Sequence, residues 1–235
     1  MSISQQNYLQ ALGIKPWQRR TICHEPAQIH TEISIAPSIT HWDTLQSCVM
    51  QCTACSLHET RTQTVFGVGN RKAPLMIIGE APGFHEDKQG EPFVGRAGQL
   101  LTAMIKSIGL NRSEVYIANI LKCRPPNNRD PQADEVAQCT PFLNQQISLI
   151  QPRLLLAVGR IAAHYLLKTQ SSLESLRNKT YHYGENNTPL IVTYHPAYLL
   201  RHPIDKKKAY RDLLFTQQLL KDSGETLNGK TSTSE

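Results

Sequence analysis

The sequence predicts an α/β protein, a three-layer sandwich whose central sheet has four parallel strands. Four short apolar runs, residues 75–78, 115–119, 153–158 and 189–194, have the length and composition of buried strands. Stretches with a helical apolar period separate them, as βαβ crossovers require. The strands end in Gly79, Asn119, Gly159 and His195-Pro196, residues that turn a chain. In such a sheet the loops after successive strands meet at one edge. Residues 79–93, 119–131, 159–160 and 195–201 are therefore expected to share a site.

The elements follow in order. Residues 7–20 set Tyr8, Leu9, Leu12, Ile14 and Trp17 among polar and basic residues, either as a helix on the main domain or as a tethered docking peptide. Pro26 and Pro37 mark a linker. The expected division is a docking peptide at 1–22, a linker at 23–40, a main domain at 41–222 and a polar flexible tail at 223–235. Residues 41–51 fit a helix with Trp42, Leu45 and Val49 on one side, and Cys48 is expected to pack in the core. After the first strand, Gly79-Glu80-Ala81-Pro82-Gly83 turns the chain, and Glu86 and Asp87 are expected in an acidic loop. Residues 98–109 carry Leu100, Leu101, Met104, Ile105 and Ile108 at helical spacing. Residues 132–150 form a long helix with Val136, Cys139, Phe142, Leu143 and Ile147. Shorter helices are predicted at 161–167 and 206–221.

The chain has 235 residues, 40% of them hydrophobic, which is enough to build a core and excludes disorder throughout. A net charge of +6 is compatible with a polyanionic partner. No stretch approaches the roughly 18 apolar residues of a membrane span. The first residues lack a signal-peptide pattern, so a cytoplasmic location is expected. There the six cysteines are expected as thiols or metal ligands rather than disulfides. Cys52 and Cys55 form a CxxC, and Cys123 and Cys139 flank one βα crossover. Four thiolates so placed suit zinc or an iron–sulfur cluster, and spacing does not choose between them. Four unrelated buried thiols are the simpler alternative.

The motifs at 79–83, 86–87, 92–98, 115–119, 122–129 and 195–201, in this order, resemble the family 4 uracil-DNA glycosylases, the iron–sulfur class of that superfamily. The resemblance runs from about Cys52 to about Phe215. It implies a [4Fe–4S] cluster on Cys52, Cys55, Cys123 and Cys139. It implies that Gly79, Phe93 and Asn119 bind uracil, with Phe93 stacking on the ring and Asn119 reading its edge. His195 corresponds to the donor that stabilises the departing base. Glu80 is the first choice of carboxylate for the sugar or the water, with Glu86 and Asp87 behind it. Ala81 stands where other classes of the superfamily carry an Asp. Tyr198, Leu199, Leu200 and Arg201 are expected in a DNA-contacting loop, one apolar residue acting as a wedge. From their charge and position, His202, residues 206–208, Arg124, Asn128 and Arg129 are candidate phosphate contacts, a solvated helix start being the alternative for 206–208. Asn178 replaces a family glycine, a substitution that the left-handed conformation open to Asn permits. The loop 125–131 lacks the His that a related class uses for a covalent adduct.

The implied function is uracil excision by a monomer in the cytoplasm, associated with the nucleoid. A non-catalytic DNA-binding or replisome-adaptor protein on the same fold is the alternative. Residues 9–20 (LQALGIKPWQRR) resemble the N-terminal peptide of the psi subunit of the bacterial replicative polymerase. That resemblance implies docking on a clamp loader.

Overall fold

A computed structural model describes residues 41–228, with side chains to residue 222. The expected docking peptide, the linker and most of the tail lie outside the described residues. The elements are α1 (Trp42–Met50), β1 (Val68–Gly69), β2 (Leu75–Gly79), α2 (Phe84–Gln89), α3 (Arg96–Lys106), β3 (Tyr116–Asn119), α4 (Ala133–Ile150), β4 (Leu154–Val158), α5 (Arg160–Leu167), α6 (Leu173–Leu176), β5 (Tyr181–Tyr183), β6 (Thr188–Thr193), α7 (Pro196–Arg201) and α8 (Lys206–Asn228). They build one six-stranded sheet in the order β1-β3-β2-β4-β6-β5. The inner four strands are parallel and are the four predicted from sequence. The sheet is nevertheless mixed, because β1 and β5 pair antiparallel on its two edges. Two or three residues long and only partly buried, they carry too little periodicity to be read from sequence.

The inner strands are buried on both faces, which is why they read as continuous apolar runs. Alternation sends Met76, Ile78, Leu155, Ala157, Leu190 and Val192 to one face, against Leu143 and Ile147 of α4 and Ala162, Ala163 and Leu166 of α5. Leu75, Ile77, Leu154, Leu156, Val158 and Ile191 go to the other, against Leu101 and Ile105 of α3 and Ala209 and Leu213 of α8. The three-layer arrangement follows. A buried ion pair closes the second face. Arg177 Nε donates to Asp212 Oδ2 at 2.8 Å, and Thr193 Oγ1 donates to the same oxygen at 2.8 Å. It ties the end of β6 to α8 and to the turn at Asn178, whose φ of 55° is left-handed as expected.

Local expectations change in four places. Cys48 is exposed, because α1 turns only Leu45 and Val49 inward. Glu86 and Asp87 lie in a short helix, α2, that ends at Gly90 with φ 76°. Asp87 is 2% exposed and accepts the Thr62 N–H at 2.9 Å, so it is a structural anchor rather than part of a solvated turn. Residues 196–201 are helical, with Pro196 at the first position, where its missing N–H is harmless. The last helix continues to Asn228, beyond its expected end at Lys221. Among the described residues no helix is long and apolar enough to cross a membrane.

Candidate active site

The four parallel strands deliver their C-terminal ends to one edge, where the loops surround a cleft of about 1020 Å³. Glu80, Phe93, Asn119 and His195 all line it, as the sequence predicts, together with Tyr198 and Arg201. A cleft of about 1320 Å³ between α4, α5, α6 and β5 holds none of them and carries no convergent reactive groups.

Glycines set the shape of the floor. Gly79 ends β2 directly beside Asn119 at the end of β3. A Cβ on Gly79 would lie 2.4 Å from Asn119 Oδ1 and 2.7 Å from the Phe93 ring, so only hydrogen fits there. Phe93 itself has φ 55°, unusual for a bulky residue, and is 7% exposed. Its neighbours hold it in that conformation. Glu86 accepts the Val94 N–H at 3.0 Å and the Gly95 N–H at 3.4 Å, while Arg112 Nη2 donates to Pro92 O at 2.6 Å. A Cβ on Gly98 would sit 1.7 Å from Phe93 O, so the α3 backbone packs directly beneath. Glu86 is thus a clamp on the Phe93 loop.

Asn119 is 2% exposed, and its side-chain Oδ1 is buried without a hydrogen-bond partner. Leaving such an atom unpaired costs on the order of 1–3 kcal/mol, which a complementary ligand would recover. Its main-chain O accepts from Lys122 Nζ at 2.8 Å, and the same ammonium donates to Gln146 Oε1 at 2.7 Å. Lys122 is 1% exposed, and burial pushes its pKa down to about 8 against the opposing influence of Cys139 and Cys123.

His195 caps α7: its Nδ1 accepts the Ala197 N–H at 3.1 Å. An accepting Nδ1 leaves the proton on Nε2. Burial lowers the pKa of His195 to about 4, Arg201 lowers it further, and Glu86 opposes. The ring is therefore a neutral donor at neutral pH. Its centroid lies 5.6 Å from that of Phe93. Gly159, with φ 99°, admits it, since a Cβ there would approach His195 Cβ to 2.9 Å. Across the cleft, burial pushes Glu80 up to about 7, helped by Asp130 and opposed by Arg160. Arg160 Nη2 pairs with Asp130 Oδ2 at 3.3 Å.

On α7 the expected DNA-contacting residues separate. Tyr198 is fixed in the wall, stacked on Tyr194 at 5.1 Å and on His202 at 4.5 Å, its hydroxyl donating to Asp205 at 2.7 Å. Leu199 is 1% exposed and belongs to the core cluster with β4, so it cannot serve as the wedge. Leu200 is half-buried and Arg201 exposed. Ile204, in the turn before α8, is 88% exposed, and its neighbour Asp205 lines the cleft.

Cys52, Cys55, Cys123 and Cys139 line a separate small cavity with Val49, Ala54 and Phe142. All four are free, and burial raises Cys123 and pushes Cys139 up to about 12. N–H groups already point at two of the sulfurs, Arg61 Nη1 at Cys123 Sγ (3.2 Å) and Lys122 N at Cys139 Sγ (3.2 Å). Such donors stabilise ligating thiolates. Among the described residues no three His, Cys, Asp or Glu side chains converge tightly enough for one metal ion.

The profile of the uracil DNA glycosylase superfamily matches residues 66–217. The chain belongs to that superfamily. It is 44% identical over 178 residues to the Type-4 uracil-DNA glycosylase of Sulfurisphaera tokodaii, covering 73% of this chain and 81% of the relative. Its identity to the Type-4 uracil-DNA glycosylase of Archaeoglobus fulgidus is 45% over 161 residues, covering 66% and 81%. A Type-5 uracil-DNA glycosylase of Pyrobaculum aerophilum is 28% identical over 144 residues, covering 55% and 63%. Within the superfamily the chain is thus nearer to these Type-4 members. Sequence reasoning missed the supports of this glycosylase site: Arg112, the Glu86 clamp, Lys122 with Gln146, and Gly159. Of these, Gly159 closes a predicted strand and Glu86 and Lys122 fall within the family motifs, but their supporting roles carry no local signal. They act through tertiary contacts.

Proposed function

We propose that the chain hydrolyses the N-glycosidic bond of deoxyuridine in DNA, releasing uracil and leaving an abasic site as the first step of base-excision repair. The observation that carries this reading is the unpartnered buried Oδ1 of Asn119, set beside an aromatic ring and a neutral imidazole donor. The target base must leave the duplex stack to reach such a pocket. Phe93 then covers one face of the ring. The Asn119 amide accepts from N3–H and donates to O4, a pattern that cytosine, with its unprotonated N3 and its amino group, inverts.

As the glycosidic bond breaks, its electron pair passes into the uracil ring and negative charge gathers at O2. The Nε2–H of His195 donates there, and its low pKa keeps the proton on the imidazole. Water adds to the sugar carbon and loses a proton. Glu80 in its carboxylate form stabilises the cationic sugar and orients or deprotonates that water. Arg201 and Lys208 meet the backbone, and with Leu199 buried the wedge role falls to an exposed apolar neighbour such as Ile204. Tyr198 holds the wall on which these residues stand.

Cys52, Cys55, Cys123 and Cys139 would hold a [4Fe–4S] cluster, whose iron–thiolate bonds would tie the segment after α1 to α4 and to the loop after β3. The division into a docking peptide at 1–22, a linker at 23–40 and a glycosylase domain at 41–222 is part of the same reading. So are clamp-loader docking through residues 7–20, a monomeric state, and a cytoplasmic, nucleoid-associated location.

The test is direct. Cluster-loaded protein incubated with a uracil-containing oligonucleotide should generate alkali-labile sites at uracil and none at cytosine. Absence of cleavage by protein with intact cluster absorbance would leave the adaptor alternative standing.

A further inference from the structure

Phe84 opens α2 and is 50% exposed, a large aromatic side chain half open to solvent. It sits at the lip of the cleft. Gly83 before it lines that cleft, as does Pro125, which follows Arg124. Two cations attend the ring. The Arg124 guanidinium lies 5.1 Å from its centroid, and Lys88 Nζ lies 6.0 Å away. Arg124 is held in place because its Nε donates to Asn128 Oδ1 at 2.7 Å. Lys88 lies at the limit of cation–π reach, so its ammonium can leave the ring for an anion. His85 packs edge-on against the ring at 5.5 Å.

Phe84 has no part in the core clusters, so packing does not account for it. An exposed aromatic ring flanked by cations matches the chemistry of a nucleic-acid strand. Bases stack on the ring, or on a guanidinium layered over it, and phosphates meet the cations. A strand whose uracil entered the cleft would carry its neighbouring nucleotide past this lip, since consecutive nucleotides of a strand lie only a few ångströms apart.

The geometry points to a flanking-nucleotide subsite: the unpaired base next to the target uracil stacks on Phe84 while Lys88 and Arg124 take its phosphates. The inference rests on the glycosylase reading of the adjoining cleft. It adds a contact on the α2 lip, across from α7, and it favours strands whose bases are already unstacked.

Binding of the full, cluster-loaded chain to a single-stranded oligonucleotide bearing one non-cleavable 2′-fluorodeoxyuridine tests it by fluorescence anisotropy. Phe84→Ala should weaken binding about tenfold, and Phe84→Trp should restore it. The decisive arm replaces the base on each side of the uracil in turn by an abasic spacer. With one of the two spacers the Phe84→Ala penalty should vanish, because the base that stacked is gone. An unchanged affinity in Phe84→Ala, or a penalty equal in all three oligonucleotides, overturns the subsite. Uracil release by the wild-type chain, measured in the same preparation, separates the two readings. If the wild type releases no uracil, the glycosylase reading fails. If it does and the penalty is absent, only the subsite fails.

Discussion

The base pocket and the thiol cavity hang from the same strand end, yet they are held in opposite ways. Asn119 closes β3, and Cys123 follows in the next loop. The pocket is preformed: Gly79, Gly98 and Gly159 leave space only for hydrogen, and Glu86 and Arg112 hold the Phe93 loop. Its polar atoms stand ready without a ligand. The thiol cavity has apolar walls and draws its sulfurs from three separated segments. N–H groups contact two of those sulfurs, and Cys123 and Cys139 are also packed in the core cluster. One region spends folding energy on fixed geometry. The other, in the proposed reading, takes its final geometry from the cluster it would hold. Lys122 joins them, its ammonium on Asn119 O and its main-chain N–H on Cys139 Sγ.

The largest expected effect separates chemistry from stability. His195→Ala removes the proposed donor to the leaving group and should lower the single-turnover rate of uracil release about 10²- to 10³-fold. It also removes the cap on α7, a loss of about 1 kcal/mol that should lower the melting temperature by only a few degrees. Cluster absorbance should be unchanged. A variant that loses its absorbance would show that pocket and cavity are not independent.

The second experiment attacks the other region. Cys52→Ser should abolish the cluster absorbance and lower the melting temperature well beyond the His195 variant. The rate per folded molecule, from active-site titration in single turnover, should stay within about threefold of wild type, as expected when the pocket is fixed by its own glycines. A normal melting temperature with a large rate loss would reverse the comparison. It would mean that the cavity acts on Asn119 through Lys122.

The same contrast explains what could be read from sequence. The four parallel strands were legible because burial on both faces makes them unbroken apolar runs. Gly79, Phe93, Asn119 and His195 were legible because topology sends strand ends to one edge, and the family motifs name them. The four cysteines shared a cavity as expected. Legibility failed where meaning comes from distant partners. Asp87 looks like a solvated acid until Thr62 is found beside it, and Arg112 looks like a surface base until it meets Pro92 O. Leu199 was one of the apolar residues expected in a DNA-contacting loop, one of which was to act as a wedge. A single turn of helix carries it into the core instead. The edge strands β1 and β5 are too short to show a period at all.

The smallest effect asks how finely the preformed pocket is tuned. Glu80 is raised to about 7 by burial first and by Asp130 second, with Arg160 opposing. In the proposed mechanism its carboxylate form is the active one, so the rate should rise as pH climbs through about 7 and level off above it. His195, at about 4, is neutral throughout that range and adds no limb. Glu80→Gln should flatten the profile. Asp130 and Arg160 sit at the exposed rim, where solvent weakens their influence, so each should move the limb by less than about one pH unit. The signs differ. Asp130→Asn removes a negative neighbour, so Glu80 ionises more readily and the limb moves to lower pH. Arg160→Ala removes a positive neighbour, and the limb moves to higher pH. Opposite displacements would show that the pocket's charge balance reaches its rim, whereas a limb that moves with neither variant would place the titrating group elsewhere than Glu80.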